Sequence, residues 1–351
     1  DSRQFRRGPR RPFKRSVVSK RGVLDMVSKK LFSIGALVVA ACLALAASST
    51  TASAATVLNS GGNVSDSGGW SNGMPSVGNN GTISVNGSYT TGFVMSEAGP
   101  GTVAVAHTAG TLSGTANFTM SNSGSAVFNW DQSGGTLNLS NALLVLGTNS
   151  GGTNINYTLS GAGLITGAGG LSGGRIQVNS AGSFTQTGGT VTGKGYDVSG
   201  ASTMLLGGGL GDNIGHEIGQ AFRLLHPDAR IDISGNYAAT VSDRVNDTDF
   251  VTRTGGSLVF DPNWSGSFTR SLFTKANWIT ALTDTDTKVG TTQVSSENFD
   301  TYFKVVDGGG AGSNVSLVLV PEPSTLVPLP MAGLGLLCYA WRKRRERGAP
   351  V

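Results

Sequence analysis

Trp130-Asp131-Gln132-Ser133-Gly134-Gly135-Thr136-Leu137 recurs as Tyr157-Thr158-Leu159-Ser160-Gly161-Ala162-Gly163-Leu164. It recurs again as Phe184-Thr185-Gln186-Thr187-Gly188-Gly189-Thr190-Val191, each copy 27 positions after the last. The shared order is aromatic, polar, Gln or Leu, Ser or Thr, Gly, small, small, aliphatic. A shorter copy, His107-Thr108-Ala109-Gly110-Thr111-Leu112, precedes them. Companion strands are expected at Leu143–Leu146, Arg175–Val178 and Met204–Leu206, between or after the copies. A fixed period in the range of roughly 20–50 residues marks stacked supersecondary units. Each unit here is too short and too Gly-rich for a helix pair, so one coil of a parallel β-helix is the natural unit. Inward Val, Leu and Phe would stack from coil to coil, Gly would supply positive φ at the corners, and Ser, Thr and Asn would form outer ladders.

Composition agrees with strands. Glycine supplies 53 of 351 residues and charged residues only 13 %, against a usual charged share of ~25 %. Val, Leu, Ile and aromatics keep appearing at alternate positions, which favours strands over a solvated coil. The expected fold is all-β: a parallel β-helix, or solenoid, over residues 101–250. Residues 55–100, with Trp70, Pro75 and a strand at Thr82–Val85, are expected to form an N-terminal cap. Residues 251–320 are expected to form a C-terminal β-sheet with strands at Ser257–Phe260, Tyr302–Val306 and Val315–Val320, because an uncovered coil exposes unpaired backbone groups. Gly215–Leu225 reads as a short helical turn or an irregular insertion, and Ala229–Ala238 as a strand. Over residues 100–240 the repeat resembles the Gly-rich β-strand repeats of autotransporter passenger domains.

The end of the chain carries a different pattern. Pro321-Glu322-Pro323-Ser324 is followed by an apolar, uncharged run from Leu326 to Trp341 and by the basic cluster Arg342, Lys343, Arg344, Arg345 and Arg347. The run is near the lower limit of roughly 17 residues for spanning a hydrocarbon core. Tyr339 and Trp341 would sit at the interface, with the cations held on the cytoplasmic side. Prolines at 321, 323, 328 and 330 keep the approach extended and separate this helix from what precedes it. The arrangement resembles the PEP-CTERM sorting signal of Gram-negative bacteria over residues 321–351. That resemblance implies handling by an exosortase, a membrane enzyme that cuts near the motif, and delivery to the cell surface or the extracellular polysaccharide matrix of a biofilm. A plain C-terminal membrane anchor would not need Pro321-Glu322-Pro323.

The other end is read the same way. Residues 1–25 hold nine Lys/Arg without apolar periodicity and are expected to be an over-extended, disordered leader. Met26 opens a basic n-region, followed by an apolar run from Leu31 to Ala47 and the small-residue site Ala52-Ser53-Ala54. Those are the parts of a secretory signal peptide over residues 26–54, cleaved before Ala55. Cys42 after Val39-Ala40-Ala41 offers a competing lipoprotein site, but the apolar run continues past it. Of the formal net charge of +5, the leader contributes +7, Lys29 and Lys30 +2 and residues 342–347 +4, which leaves −8 for residues 55–341. An acidic body excludes a nucleic-acid partner. Both cysteines, Cys42 and Cys338, lie in the apolar segments, so the body has no disulfide framework.

Motifs for chemistry are incomplete. His216, Glu217 and His226 partly fit the zinc-protease pattern, but Gln220 stands at the second ligand position and Arg223 at the glycine. Gly170-Leu171-Ser172-Gly173-Gly174 matches the nucleophile-elbow pattern, as a Gly/Ser-rich chain does by chance, with no helix following. Gly208–Asp212 falls short of a calcium nonapeptide and occurs once. Asp243, Asp247 and Asp249, and separately Asp284 and Asp286, offer carboxylate oxygens for loose calcium binding, but without EF-hand spacing or its closing Glu they read rather as solvated turn residues. Trp264 and Trp278 are expected to pack the terminal sheet rather than stack on sugars. Between Ala98 and Gly200 the acids are only Asp131 and Asp197 and the bases only Arg175 and Lys194. A glycosidase needs a carboxylate pair, and a lyase needs acids and a base. The expected function is therefore a non-enzymatic structural or adhesive surface protein, without metal or cofactor, whose partners are the exosortase, the secretion machinery, the membrane before processing and extracellular polysaccharide. The alternatives are a β-helical polysaccharide lyase or hydrolase and a carbohydrate-binding surface protein.

Overall fold

A computed structural model describes residues 55–95, 100–147, 154–167, 174–215, 220–283, 286–308 and 314–320. These residues wind into a β-solenoid of about 8 turns, as the repeat requires. The proposed leader, signal peptide and membrane-spanning helix lie outside the described residues. Among the described residues, no helix is long and apolar enough to cross a membrane.

The coil has three faces. The first runs through Gly81–Ile83, Thr102–His107, Val127–Gln132, Ile155–Leu159, the starts of Gly182–Thr192 and Thr203–Ile214, then Arg230–Ile233, Ser257–Phe260 and Thr287–Val289, each parallel to the next. The second runs from Gly87–Ser88 through Thr111–Ser113, Thr136–Asn138, Leu164–Thr166, the ends of the two long strands and Ala238–Val241 to Phe268–Ser271. The third stacks Gly92–Met95, Phe118–Asn122, Leu144–Leu146, Arg175–Val178, Gly195–Val198, Phe222–Leu224 and Val251–Arg253. Alternate residues face inward, because a strand's side chains alternate between its two faces.

The three aromatic-led copies meet in register: Trp130 lies opposite Tyr157, and Tyr157 opposite Phe184. Their rings stack at 6.2 Å and 5.7 Å with interplanar angles of 13° and 27°. The column continues through Met204, Ile231 and Leu258. Met204–Leu206 is thus the next copy of the repeat strand, not a companion strand. The coil joining it to Phe184 is seven residues shorter than its neighbours, which breaks the period in the sequence. A second correction concerns Leu164. Ile165, not Leu164, lies opposite Leu137 and Val191 and is fully buried, because that coil holds one extra residue before its inward aliphatic.

Three corners between the first and second faces are closed from inside. Gly110, Gly135 and Gly189 have φ of 78°, 65° and 68°, a conformation that glycine adopts without steric cost. Their carbonyls accept from His107 Nε2 (3.4 Å), Gln132 Nε2 (3.1 Å) and Gln186 Nε2 (3.5 Å). The two glutamines also donate to Leu164 O (3.0 Å) and Leu210 O (3.2 Å), one coil further on. Gln132 Oε1 accepts from the buried Tyr157 hydroxyl. Tyr196 links Gln186 to Tyr237, its hydroxyl 3.4 Å from Gln186 Oε1 and 3.0 Å from the Tyr237 hydroxyl. Burial raises the phenol pKa of all three tyrosines, so they act as neutral donors.

Parallel pairing runs past residue 250, so Ser257–Phe260 is a further coil rather than part of a separate sheet. Closure follows. Phe268–Ser271 pairs antiparallel with Asn314–Leu319, which pairs antiparallel with Phe303–Asp307. Helix α1, Lys275–Leu282, opens with a Thr274/Asn277 capping box and buries Trp278, Ala281 and Leu282. A single turn, α2, covers Phe299–Tyr302. Phe260 meets Phe303 at 5.1 Å and Phe250 meets Trp278 at 5.4 Å, so aromatic edges seal the open coil. At the other end, Thr56–Val57 pairs with Gly81–Thr82, and Trp70, nearly buried, donates Nε1 to Val64 O at 3.2 Å. Residues 215–225 contain the third-face strand Phe222–Leu224.

Two outcomes test this interior. Gln132→Leu copies the side chain that Leu159 places in the next coil, but it removes the acceptor of the buried Tyr157 hydroxyl and one donor each from Gly135 O and Leu164 O, of which Gly135 O keeps the Leu164 amide; a buried group left unsatisfied costs ~1–3 kcal/mol. Chemical denaturation should show a loss within or above that range, with part of it recovered by adding Tyr157→Phe. His107 is fully buried, and burial lowers its pKa from the ordinary 6.5. Below pH 6.5 the unfolded chain takes a proton that the folded one refuses. Stability is therefore fully present above pH 6.5 and falls with pH down to the folded pKa, with a slope of up to ~1.4 kcal/mol per pH unit. His107→Gln, which should keep the bond to Gly110 O, is expected to flatten that part of the curve.

Candidate functional site

The four charged side chains expected on the repeat have distinct fates. Asp131 points outward from the first face and is exposed. Lys194 is fully buried at a corner, where its Nζ donates to Ser140 O (2.9 Å) and Ala142 O (3.1 Å). Gly167 makes room for it, since a Cβ there would lie 2.2 Å from Lys194 Cε. Arg175 Nη1 reaches Asp197 Oδ2 at 3.3 Å across adjacent coils. Arg223 Nη1 approaches the same oxygen at 3.5 Å from the following coil, and Ser199 Oγ donates to Asp197 Oδ1 at 2.7 Å. Burial nevertheless raises the Asp197 pKa, opposed by Ser199 and Arg175. This Arg-Asp-Arg ladder was not foreseen in the sequence, where Arg223 counted only as a misfit in a zinc pattern. Register sets Arg223 opposite Asp197, and Arg175 reaches the same carboxylate diagonally from the preceding coil.

The remaining candidates scatter. His226 Nδ1 accepts from the Asp228 amide at 3.1 Å and sits half-exposed in a turn, whereas His216 and Glu217 lie outside the described residues. Ser172 and its neighbours do too, while Gly208–Asp212 runs within the strand Thr203–Ile214. Asp243 O accepts from Arg270 Nη2 at 2.9 Å, and Asp247 Oδ2 accepts from Asn277 Nδ2 at 3.1 Å. Arg270 also lies 4.2 Å over the Phe273 ring. Burial lowers its pKa, and Asp243 and Asp247 oppose that shift. Asp249 belongs to the short turn Asp247–Asp249, Asp286 has a φ of 74°, and Asp284 lies outside the described residues. Among the described residues, no group of three or more His, Cys, Asp or Glu could hold a metal ion. Trp264 and Trp278 are 3 % and 0 % exposed, so neither indole offers a face to a sugar ring.

The three faces differ outside. The first carries Asp131, Arg230, Asp232 and Lys288, and the third carries the Arg-Asp-Arg ladder. From Thr111 to Ser271 the strands of the second face carry one outward charge, Asp212. The second face ends in Asn314–Leu319, a strand paired on both edges, and the Val320 amide donates to Tyr302 O at 2.7 Å. Pro321 follows at once, and proline has no amide hydrogen to continue a ladder. Pro321, Glu322, Pro323, Ser324 and the cluster at Arg342, Lys343, Arg344, Arg345 and Arg347 lie outside the described residues, as do Ala52 and Ala54. Ala55 is described, and its carbonyl accepts from Asn72 Nδ2 at 3.1 Å.

The PEP-CTERM protein-sorting motif family matches residues 319–345. The match takes in the end of the capping strand, the Pro-Glu-Pro sequence, the apolar run and the first four basic residues. It marks an exosortase-sorted, extracellular or surface-located protein. No curated protein matches the chain, and no solved structure does. The likeness of the coils to autotransporter repeats gains no support from these comparisons.

Lys194 gives a direct check on the interior charges. In acylation followed by mass spectrometry it should stay unmodified in the folded protein while Lys275 and Lys304 react, and it should become modified once the chain is unfolded.

Proposed function

We propose that this protein is a structural or adhesive element of the cell surface or the extracellular polysaccharide matrix: a stiff solenoid exported through the inner membrane, processed by an exosortase and displayed without catalytic activity. The observation that carries the reading is the junction at Val320, where a matched sorting motif begins at the edge of a closed solenoid cap. The chain would be anchored by residues 326–341 only until the tail is cut. Its cap strand, bonded on both sides, would resist being drawn out when the tail is held. A lyase or glycosidase reading finds little support in the placed side chains. Lys194 is occupied by carbonyls, Arg175 and Arg223 engage Asp197, and Asp131 lies on another face from that ladder.

Fractionation and intact mass of the protein from its native host, with and without the exosortase, test the proposal. The expected product begins near Ala55, ends within residues 321–325 and lies outside the cell. Loss of the exosortase should leave the tail attached and the protein in the membrane. A product that keeps Arg342–Arg347 in the inner membrane of normal cells would overturn the sorting reading and leave a periplasmic domain on an anchor.

A further inference from the structure

The second face differs from the other two in chemistry and in relief. Its outward rows are mostly short hydroxyls and aliphatics, Thr190, Leu210 and Ala238 in one and Thr192, Thr240 and Thr269 in the other, with the carboxylate of Asp212 among the latter. Where Asp212 and Asn213 insert between Gly211 and Ile214, the register slips by one residue. Asn213 there has a positive φ of 57°. The slip opens a trough lined by Thr190, Leu210, Asp212, Thr240, Ser267 and Thr269. Leu210 on its wall is 54 % exposed, one of the largest exposed apolar side chains among the described residues. Strands in a sheet lie ~4.8 Å apart, so the four coils that line the trough span roughly 14 Å.

We propose that this trough binds a neutral polysaccharide chain laid across the coils, and the proposal rests on the surface or matrix reading above. Hydroxyls of Thr190, Thr240, Ser267 and Thr269 can both donate to and accept from sugar hydroxyls. Leu210 supplies an apolar patch for the C–H face of a ring. Among the described residues no cation lines the trough, Asp212 is its one charge, and the body from 55 to 341 carries −8, so uronate or sulfated polymers meet repulsion there. Arg175 and Arg223 sit on the third face, Arg230 on the first and Lys194 in the interior, where they cannot serve a ligand here.

Affinity electrophoresis of the protein recovered from its host, in native gels cast with a soluble neutral glucan or with polygalacturonate, tests this. Leu210→Asp combined with Thr240→Lys alters the trough without changing net charge, so mobility in a plain gel should stay the same. Thr158→Asp combined with Thr185→Lys does the same on the first face and serves as control. Both changes fall on outward positions, and an unchanged melting curve confirms folding. The expected result is retardation by the glucan that weakens by about tenfold or more in the trough variant, is kept by the control and is absent with polygalacturonate. Equal retardation of both variants, or of neither the wild type nor the variants, overturns the proposal. So does binding to polygalacturonate alone, or a wild-type dimer on size-exclusion chromatography that only the trough variant breaks. Failure here with the protein still found outside the cell removes the trough and leaves the sorting reading standing; a membrane-retained, uncut protein that still binds glucan does the reverse.

Discussion

The interaction on which this solenoid depends is the inward amide at the corner. A strand that turns onto a new face must bury the carbonyl of its turn, and a buried carbonyl without a donor costs ~1–3 kcal/mol. At Gly110 and Gly135 a backbone amide of the next coil meets that need, and Gln132 and Gln186 add a side-chain donor to their own corner and reach the coil beyond. His107 does the same for its own corner with an imidazole. The two glutamines therefore tie the bend to the register of the next coil. The tyrosines then satisfy the remaining amide oxygens, and stacked rings fill the interior around them. Polar atoms and aromatic area are thus combined at the same positions of the repeat.

That combination explains why the fold was legible from eight residues. Aromatic, Gln and Gly at fixed offsets each report a local requirement: a large inward ring, a donor at the corner, a positive φ. The strands facing them in neighbouring coils meet the same requirements, so the pattern repeats at the coil length. Legibility fails where coil length changes. Met204 sits on Phe184 although the spacing is shortened, and Ile165 replaces Leu164 inside because of one added residue. Neither is visible without the pairing, since the residues on both sides of each shift are apolar enough to serve. Helix α1 escaped notice for a related reason: its eight residues carry a weak apolar stripe, and Thr274 and Asn277 form the only strong local signal.

Charges were the least legible feature. Arg175, Asp197 and Arg223 lie far apart in the sequence and come together only through the stacking of third-face strands. Lys194 reads as a surface base and is instead a corner plug bonded to carbonyls. The sorting motif lies at the opposite extreme, because its residues are contiguous in the sequence and no tertiary contact is needed to recognise it. What the structure adds is the position of that signal, directly after a cap strand held on both edges.

The measurement that tests the register most directly is the spin–spin interaction between nitroxides at Thr185 and Leu205, outward neighbours across the shortened coil. Adjacent strands lie ~4.8 Å apart, so strong dipolar broadening is predicted for that pair, equal to that for Thr158 with Thr185. Weak broadening there, together with strong broadening between Thr185 and Asp212, which an unbroken 27-residue period would set side by side, would contradict the account.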